Sequence, residues 1–105
     1  MTGPAYVPAS LVGTTTLPLT NQTSNYTADA TTDCVVNCTS GTFTVTLPTA
    51  VGIEGQYFVI KNSGAGVITV DGSGAETIDG SPDFTLSTQY ESVTVVSNGA
   101  NWAVI

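Results

Sequence analysis

Between residues 42 and 47 the chain reads Thr-Phe-Thr-Val-Thr-Leu, an unbroken alternation of hydroxyl and apolar side chains. Successive side chains of a β-strand point to opposite faces, so Phe43, Val45 and Leu47 share one face and Thr42, Thr44 and Thr46 the other. A helix cannot use this pattern, because a period of two scatters the apolar groups around its circumference. Similar segments flank it. Residues 25–29 alternate briefly, and residues 33–38 (DCVVNC) read as a strand. The turn 39–42 (TSGT) joins that strand to 42–47 as a β-hairpin. Pro48 ends the second strand, and residues 49–55 form a loop or a single helical turn. Residues 56–62 (QYFVIKN) hold four apolar groups in a row, the pattern of a strand covered on both faces.

The C-terminal half continues in short pieces. A turn at 63–66 leads into a strand at 67–70 (VITV). The turn-rich stretch 71–83 follows, with Ile78 as its buried anchor. Residues 84–89 and 90–97 read as strands, Asn98-Gly99 as a type I′ turn, and 102–105 (WAVI) as the last strand. No stretch keeps helical periodicity over three turns. The prediction is an all-β domain, a small antiparallel β-sandwich or barrel-like fold of about eight short strands over residues 25–105. Ile105 leaves no polar tail, so its strand must pair within its own subunit or with a neighbour.

Residues 1–24 differ from the rest. They carry no charge, and Pro4, Pro8 and Pro18 favour extended geometry over helix. Tyr6, Val7, Leu11, Val12, Leu17 and Leu19 are too many apolar groups for a solvated tail. The segment reads as an extended N-terminal arm that docks on another surface and could reach roughly 80 Å. The alternative is an edge segment packed on its own domain. The N-terminus lacks the basic and continuous apolar regions of a signal peptide, so the expectation is a protein made and used without export by its own signal.

Charge narrows the function classes. Of 105 residues only 9% are charged: eight acids and one base, Lys61, with no Arg and no His, for a net charge of −7. Nucleic acid is not an expected partner, because neutralising phosphates takes several Lys or Arg. Nor is an anionic membrane, for the same reason. No apolar run approaches the roughly 18 residues of a spanning helix. With 41% hydrophobic residues and so few charges, the surface calls for an oligomer or assembly that covers much of it.

Reactive groups are scarce. Serine nucleophiles need a base such as His, and Lys61 stands in no catalytic pattern. Asp71, Glu76, Asp79 and Asp83 could in principle supply the carboxylate pair of a glycosidase, but the chain is short and its few aromatics are needed elsewhere. No enzyme activity and no cofactor are expected. Residues 71–76 resemble a calcium loop only loosely, and Ala75 stands where a third oxygen ligand is needed, so the Asp and Gly there read as turn formers and no metal is expected. Cys34 and Cys38 read as two reduced thiols, since a bridge four residues apart in a strand would demand a sharp bend. The N-x-T triplets at Asn21, Asn25 and Asn37 reflect the abundance of threonine. Tyr57, Phe58, Phe84, Tyr90 and Trp102 fall on predicted strands and are expected mainly in the core.

An ordered set of segments resembles a recurrent β-domain of tailed bacteriophages, found in tail fibres, head fibres and small capsid decoration proteins. The set is Thr46-Leu47-Pro48, Phe58-Val59-Ile60-Lys61-Asn62, Thr77-Ile78-Asp79-Gly80 and the closing Ser97 to Trp102. It spans about residues 25–105. The resemblance implies a β-sandwich-like fold, frequent trimerisation and a structural or attachment role in the virion, assembled in the host cytoplasm. Taken as a complete chain starting at Met1, a stand-alone copy suits a capsid decoration, or cement, protein. Its expected partners are itself, as a homotrimer, and the major capsid protein on the capsid surface, with the arm lying along neighbouring subunits. The rival expectation is an adhesion module of a tail or head fibre that binds a host-surface glycan or protein. Its correlate would be exposed aromatics in loops.

Overall fold

The chain winds back and forth between two facing sheets. The computed structural model describes residues 16–105, and within them nine strands and no helix are formed. The strands are β1 (Leu19–Gln22), β2 (Tyr26–Thr27), β3 (Val35–Cys38), β4 (Phe43–Thr46), β5 (Tyr57–Asn62), β6 (Ile68–Asp71), β7 (Asp83–Leu86), β8 (Ser92–Ser97) and β9 (Trp102–Val104). One sheet has the order β1-β3-β5-β8-β9 and the other β2-β4-β6-β7. Odd and even strands alternate between the sheets as far as β6, so the first six make three stacked coils. The chain then reverses to add β7 to one sheet and the β8–β9 hairpin to the other.

This winding corrects three expectations. The fold is all-β, but its sheets are mixed: β1–β3, β2–β4, β3–β5 and β4–β6 pair parallel, while β5–β8, β6–β7 and β8–β9 pair antiparallel. The hairpin expected from residues 33–47 does not form, because β3 and β4 lie in different sheets. Period-two alternation fixes which face of a strand is buried but not its neighbour. Both strands bury one face against the same core, from opposite sides. At the β8–β9 turn only Gly99 has a positive φ, at 95°, so the turn is not type I′. Asn98 instead accepts the Ala100 and Asn101 N–H groups on its side-chain oxygen.

Glycine makes the coil stacking possible. The corner at 63–66 lies directly on the corner at 39–42, and a Cβ on Gly66 would stand 2.2 Å from the carbonyl oxygen of Gly41. Asn62, fully buried, ties the corner from inside. Its Nδ2 donates to Gly66 O at 2.9 Å and Leu86 O at 3.0 Å, and its Oδ1 accepts from Gly64 N at 3.2 Å. Every polar hydrogen and one oxygen lone pair of this buried amide are thereby used, as burial requires.

The core fills the space between the sheets with Val36, Cys38, Val45, Leu47, Phe58, Ile60, Ile68, Val70, Ile78, Leu86, Val95 and Trp102. Phe58 and Trp102 meet edge to face, with centroids 5.7 Å apart and planes at 67°. Ile78 is buried as the sequence predicts, and it bridges to Trp102. The segment carrying it covers the edge of β9: Trp102 N donates to Thr77 O, Asp79 N to Trp102 O, and Val104 N to Asp79 Oδ1. Ile105 N donates to Thr94 O, so the terminal strand is paired within the chain. Of the predicted arm, Leu19–Gln22 is an edge strand parallel to β3. The arm residues Tyr6, Val7, Leu11 and Val12 lie outside the described residues.

Candidate assembly face

The sequence pattern of β5 leads to the most distinctive surface. Its apolar run was expected to be covered on both faces. Instead its burial alternates: Phe58, Ile60 and Asn62 are buried, while Tyr57, Val59 and Lys61 point outward, half-exposed. The register extends this outward set across the five-stranded sheet. Leu19, Val35, Val59 and Thr94 form one row, with Ile105 beyond Thr94. Tyr57, Val96 and Ala103 form a second. Asn21, Asn37, Lys61 and Ser92 form a third. Neighbouring strands lie about 4.8 Å apart, so the first row is roughly 19 Å long. The face grades from valines and a tyrosine at one end to amides and a lysine at the other.

The four-stranded sheet has the opposite character. Its outward rows are Thr27, Thr46, Asp71 and Asp83, and Thr44, Thr69 and Thr85. Threonine suits such strands because its branched Cβ fits the pleated surface while the hydroxyl meets water. Charge is segregated with polarity. No acid occupies an outward position in the five-stranded sheet, and the sole Lys stands there. Asp71 and Asp83 lie on the far sheet, and the remaining acids sit in the connections.

The predicted carboxylate set is dispersed. Asp71 and Asp83 are register partners. The Glu76 carboxylate accepts from Thr49 Oγ1 at 2.5 Å and Ala50 N at 2.8 Å, fixing the 49–55 loop. Asp79 serves the β9 edge. No three His, Cys, Asp or Glu side chains come together as a metal site among the described residues. Asp33, buried, accepts from Tyr26 Oη at 2.5 Å and Asp29 N at 2.8 Å. That hydrogen bond, with burial, pushes the Tyr26 phenol up to about 12. Cys34 and Cys38 are buried free thiols. Burial raises both, Cys38 to about 11, which keeps them protonated and unreactive.

The aromatics divide differently from the sequence prediction. Phe58 and Trp102 are core, and Tyr57 and Phe84 are half-buried. Tyr90 lies in the turn between β7 and β8, 64% exposed and at φ 72°. Positive φ is a genuine outlier for a bulky side chain. Several bonds enforce it. Tyr90 N donates to Asn62 O at 2.5 Å, and Lys61 Nζ donates to Tyr90 O at 2.7 Å. Glu91 Oε1 accepts the N–H groups of Ser87 and Thr88. The polar run Ser87-Thr88-Gln89 before Tyr90, closed by that carboxylate, was the available signal for a turn. Of the predicted contact residues, Leu17 and Leu19 are exposed, at 42% and 57%.

No family model matches the chain, and no curated protein matches it in sequence.

Proposed function

We propose that the chain is a structural virion protein of a bacteriophage, a capsid decoration protein that associates as a homotrimer and stabilises the head shell. The observation that carries the self-association is the outward face of the five-stranded sheet. Copies of a chain with net charge −7 repel one another. This face lets them meet without juxtaposing acids, and it buries Leu19, Val35, Val59, Tyr57 and Val96 against like surfaces. The occupant is therefore a second copy of the chain. The virion setting rests on the ordered resemblance of residues 25–105 to phage β-domains, and the scarcity of reactive groups fits a non-enzymatic role. The arm, with Tyr6, Val7, Leu11, Val12 and Leu17, would engage the major capsid protein, whereas Leu19 belongs to β1 and to the self-association face.

Light scattering on the purified chain at micromolar concentration tests the first step, with a trimer mass as the expected result. A chain lacking residues 1–15 should keep that mass and lose binding to undecorated capsids. A monomer in the first experiment refutes the assembly reading, and full decoration by the truncated chain refutes the arm. The fibre-adhesion reading keeps one observation of its own, the exposed aromatic at Tyr90.

A further inference from the structure

We infer that Tyr90 and the polar row beside it form a binding site for a neutral saccharide. The inference rests on the fibre-adhesion reading, whose ligand class and contact residues it names, and the site occupies the other end of the same sheet. A sugar ring offers a face of C–H groups and a rim of hydroxyls. The first calls for an aromatic plate open to solvent, and the second for fixed donors and acceptors next to it.

Tyr90 supplies the plate. Among the described residues it is the exposed aromatic of the large hydrophobic side chains at the surface. Its turn is locked at both ends by the bonds to Asn62 O and from Lys61 Nζ. A bulky residue held at φ 72° stores strain, and such strain is retained where a side chain must be presented in one direction. Presenting it ready-made lowers the ordering cost of binding.

The rim partners stand alongside. Lys61 Nζ lies over one face of the Tyr90 ring, 5.8 Å from its centroid, which steadies the plate and leaves the other face to meet the sugar. It uses one of its three donors on Tyr90 O, leaving two. Asn37 Nδ2 donates to Asn21 Oδ1 at 3.0 Å, which aligns the two amides and leaves a second N–H on Asn37 and the whole NH₂ of Asn21. Ser92 faces Lys61 across the β5–β8 ladder. Gln89, anchored by its Nε2 to Ser63 O at 3.2 Å, keeps its oxygen. The row from Asn21 to Ser92 is about 14 Å long, enough for more than one ring.

The charge of the ligand follows from the chain. A net charge of −7 with a single Lys gives no field to hold an anion, so the sugar is neutral. A protein anchor is disfavoured because the strand positions next to Tyr90 are amides, a hydroxyl and a lysine, where a protein contact of this kind wants an apolar surround.

The test is a titration of the full ¹⁵N-labelled chain with trisaccharides of glucose, galactose and N-acetylglucosamine to about 10 mM, a range suited to single weak sites. At least one should shift Tyr90, Lys61 and the Asn37 side-chain amide. Tyr90→Gly removes the plate while relieving the positive φ, so it folds, and it should weaken binding about tenfold or more. Tyr90→Phe should bind as the parent does. Mass by light scattering should be the same in all three. The inference is overturned if no sugar shifts these residues, if Tyr90→Gly binds equally well, or if Tyr90→Gly changes the assembly mass. The last result would make Tyr90 a protein contact. A monomeric parent that still binds sugar refutes the assembly reading and leaves this one standing.

Discussion

Replacing Asn62 by Asp exchanges one heavy atom, the amide nitrogen for an oxygen, and should nearly unfold the chain at neutral pH. The amide nitrogen donates to Gly66 O and Leu86 O at 2.9 and 3.0 Å, in a fully buried site. A carboxylate there would point an anionic oxygen at two carbonyl oxygens. The folded variant must keep its carboxyl protonated. An unfolded Asp titrates near 3.9, so holding the proton at pH 7 costs about 3 units at ~1.4 kcal/mol each, or about 4 kcal/mol. The protonated acid restores one donor of the two. The second carbonyl is left without its partner, at a further cost of about 1–3 kcal/mol. The sum, about 5–7 kcal/mol, compares with about 5–15 kcal/mol of total stability for a chain of 105 residues. The pH dependence is the sharper signature. The variant's folded pKa is raised, so its deficit grows with pH above the unfolded value, by about 1.4 kcal/mol per unit, until the folded pKa is reached. Urea unfolding of parent and Asn62→Asp at matched protein concentration, from pH 4 to pH 7, gives the difference directly. It should shrink to about 1–3 kcal/mol near pH 4. A pH-independent deficit, or one below about 1 kcal/mol at pH 7, would falsify the account of Asn62 as the corner tie.

Val59→Asp places an acid in the middle of the assembly face. A half-exposed strand position should cost the single chain about 1 kcal/mol, while light scattering should show monomers; a variant of parental mass argues against this face. Gly66→Ala must displace the Gly41 carbonyl 2.2 Å from the new Cβ. Because the obstacle is backbone, thermal unfolding should report a loss of roughly 1–3 kcal/mol, and an unchanged midpoint would mean the corners do not stack. Tyr26 should be among the last of the four tyrosines to ionise, seen as tyrosinate absorbance appearing towards pH 12. Its folded pKa is raised, so the stability it gives over Tyr26→Phe should be whole below about pH 10 and vanish as pH climbs through about 12. An advantage that persists past that point would remove the Asp33 bond from the account.

The strands were legible because alternation is a local property. Residues 42–47 announce their buried face one residue at a time. Pairing is not local. Nothing in residues 33–47 distinguishes a hairpin from two strands in facing sheets; the distinguishing fact is that Gly66 lets a later corner lie against Gly41, 25 residues away. The outward face was half-legible. The run Tyr57 to Ile60 signalled two covered faces, and the chain itself covers one. Tyr90 was misread because its neighbours Ser92–Ser97 form a strand and tyrosine suits strands. The deciding interaction, Lys61 Nζ to Tyr90 O, spans 29 residues.

Charge segregation makes a prediction about salt that separates this assembly from one held by ion pairs. The proposed trimer would bring together 3 × −7 = −21 charges. No acid stands on the outward positions of the five-stranded sheet, so the repulsion comes from the far sheet and the connections. Asp71 and Asp83 on the far sheet sit about one sheet spacing, about 10 Å, behind the contact, while connection acids such as Asp79 and Glu91 stand at the edges of the five-stranded sheet. At about 0.01 M salt the Debye length is near 30 Å, and the acids of one copy act across the contact on the next. At about 0.1 M it falls to near 10 Å, and most of that repulsion is screened. Contacts among Leu19, Val35, Val59 and Val96 are apolar and gain nothing from low salt. Added sodium chloride should therefore strengthen association, lowering the concentration at which light scattering finds half the chains assembled. An interface that used Lys61 against a carboxylate of the neighbour would weaken instead. Dissociation by salt would place the contact elsewhere, on a surface where the acids themselves take part.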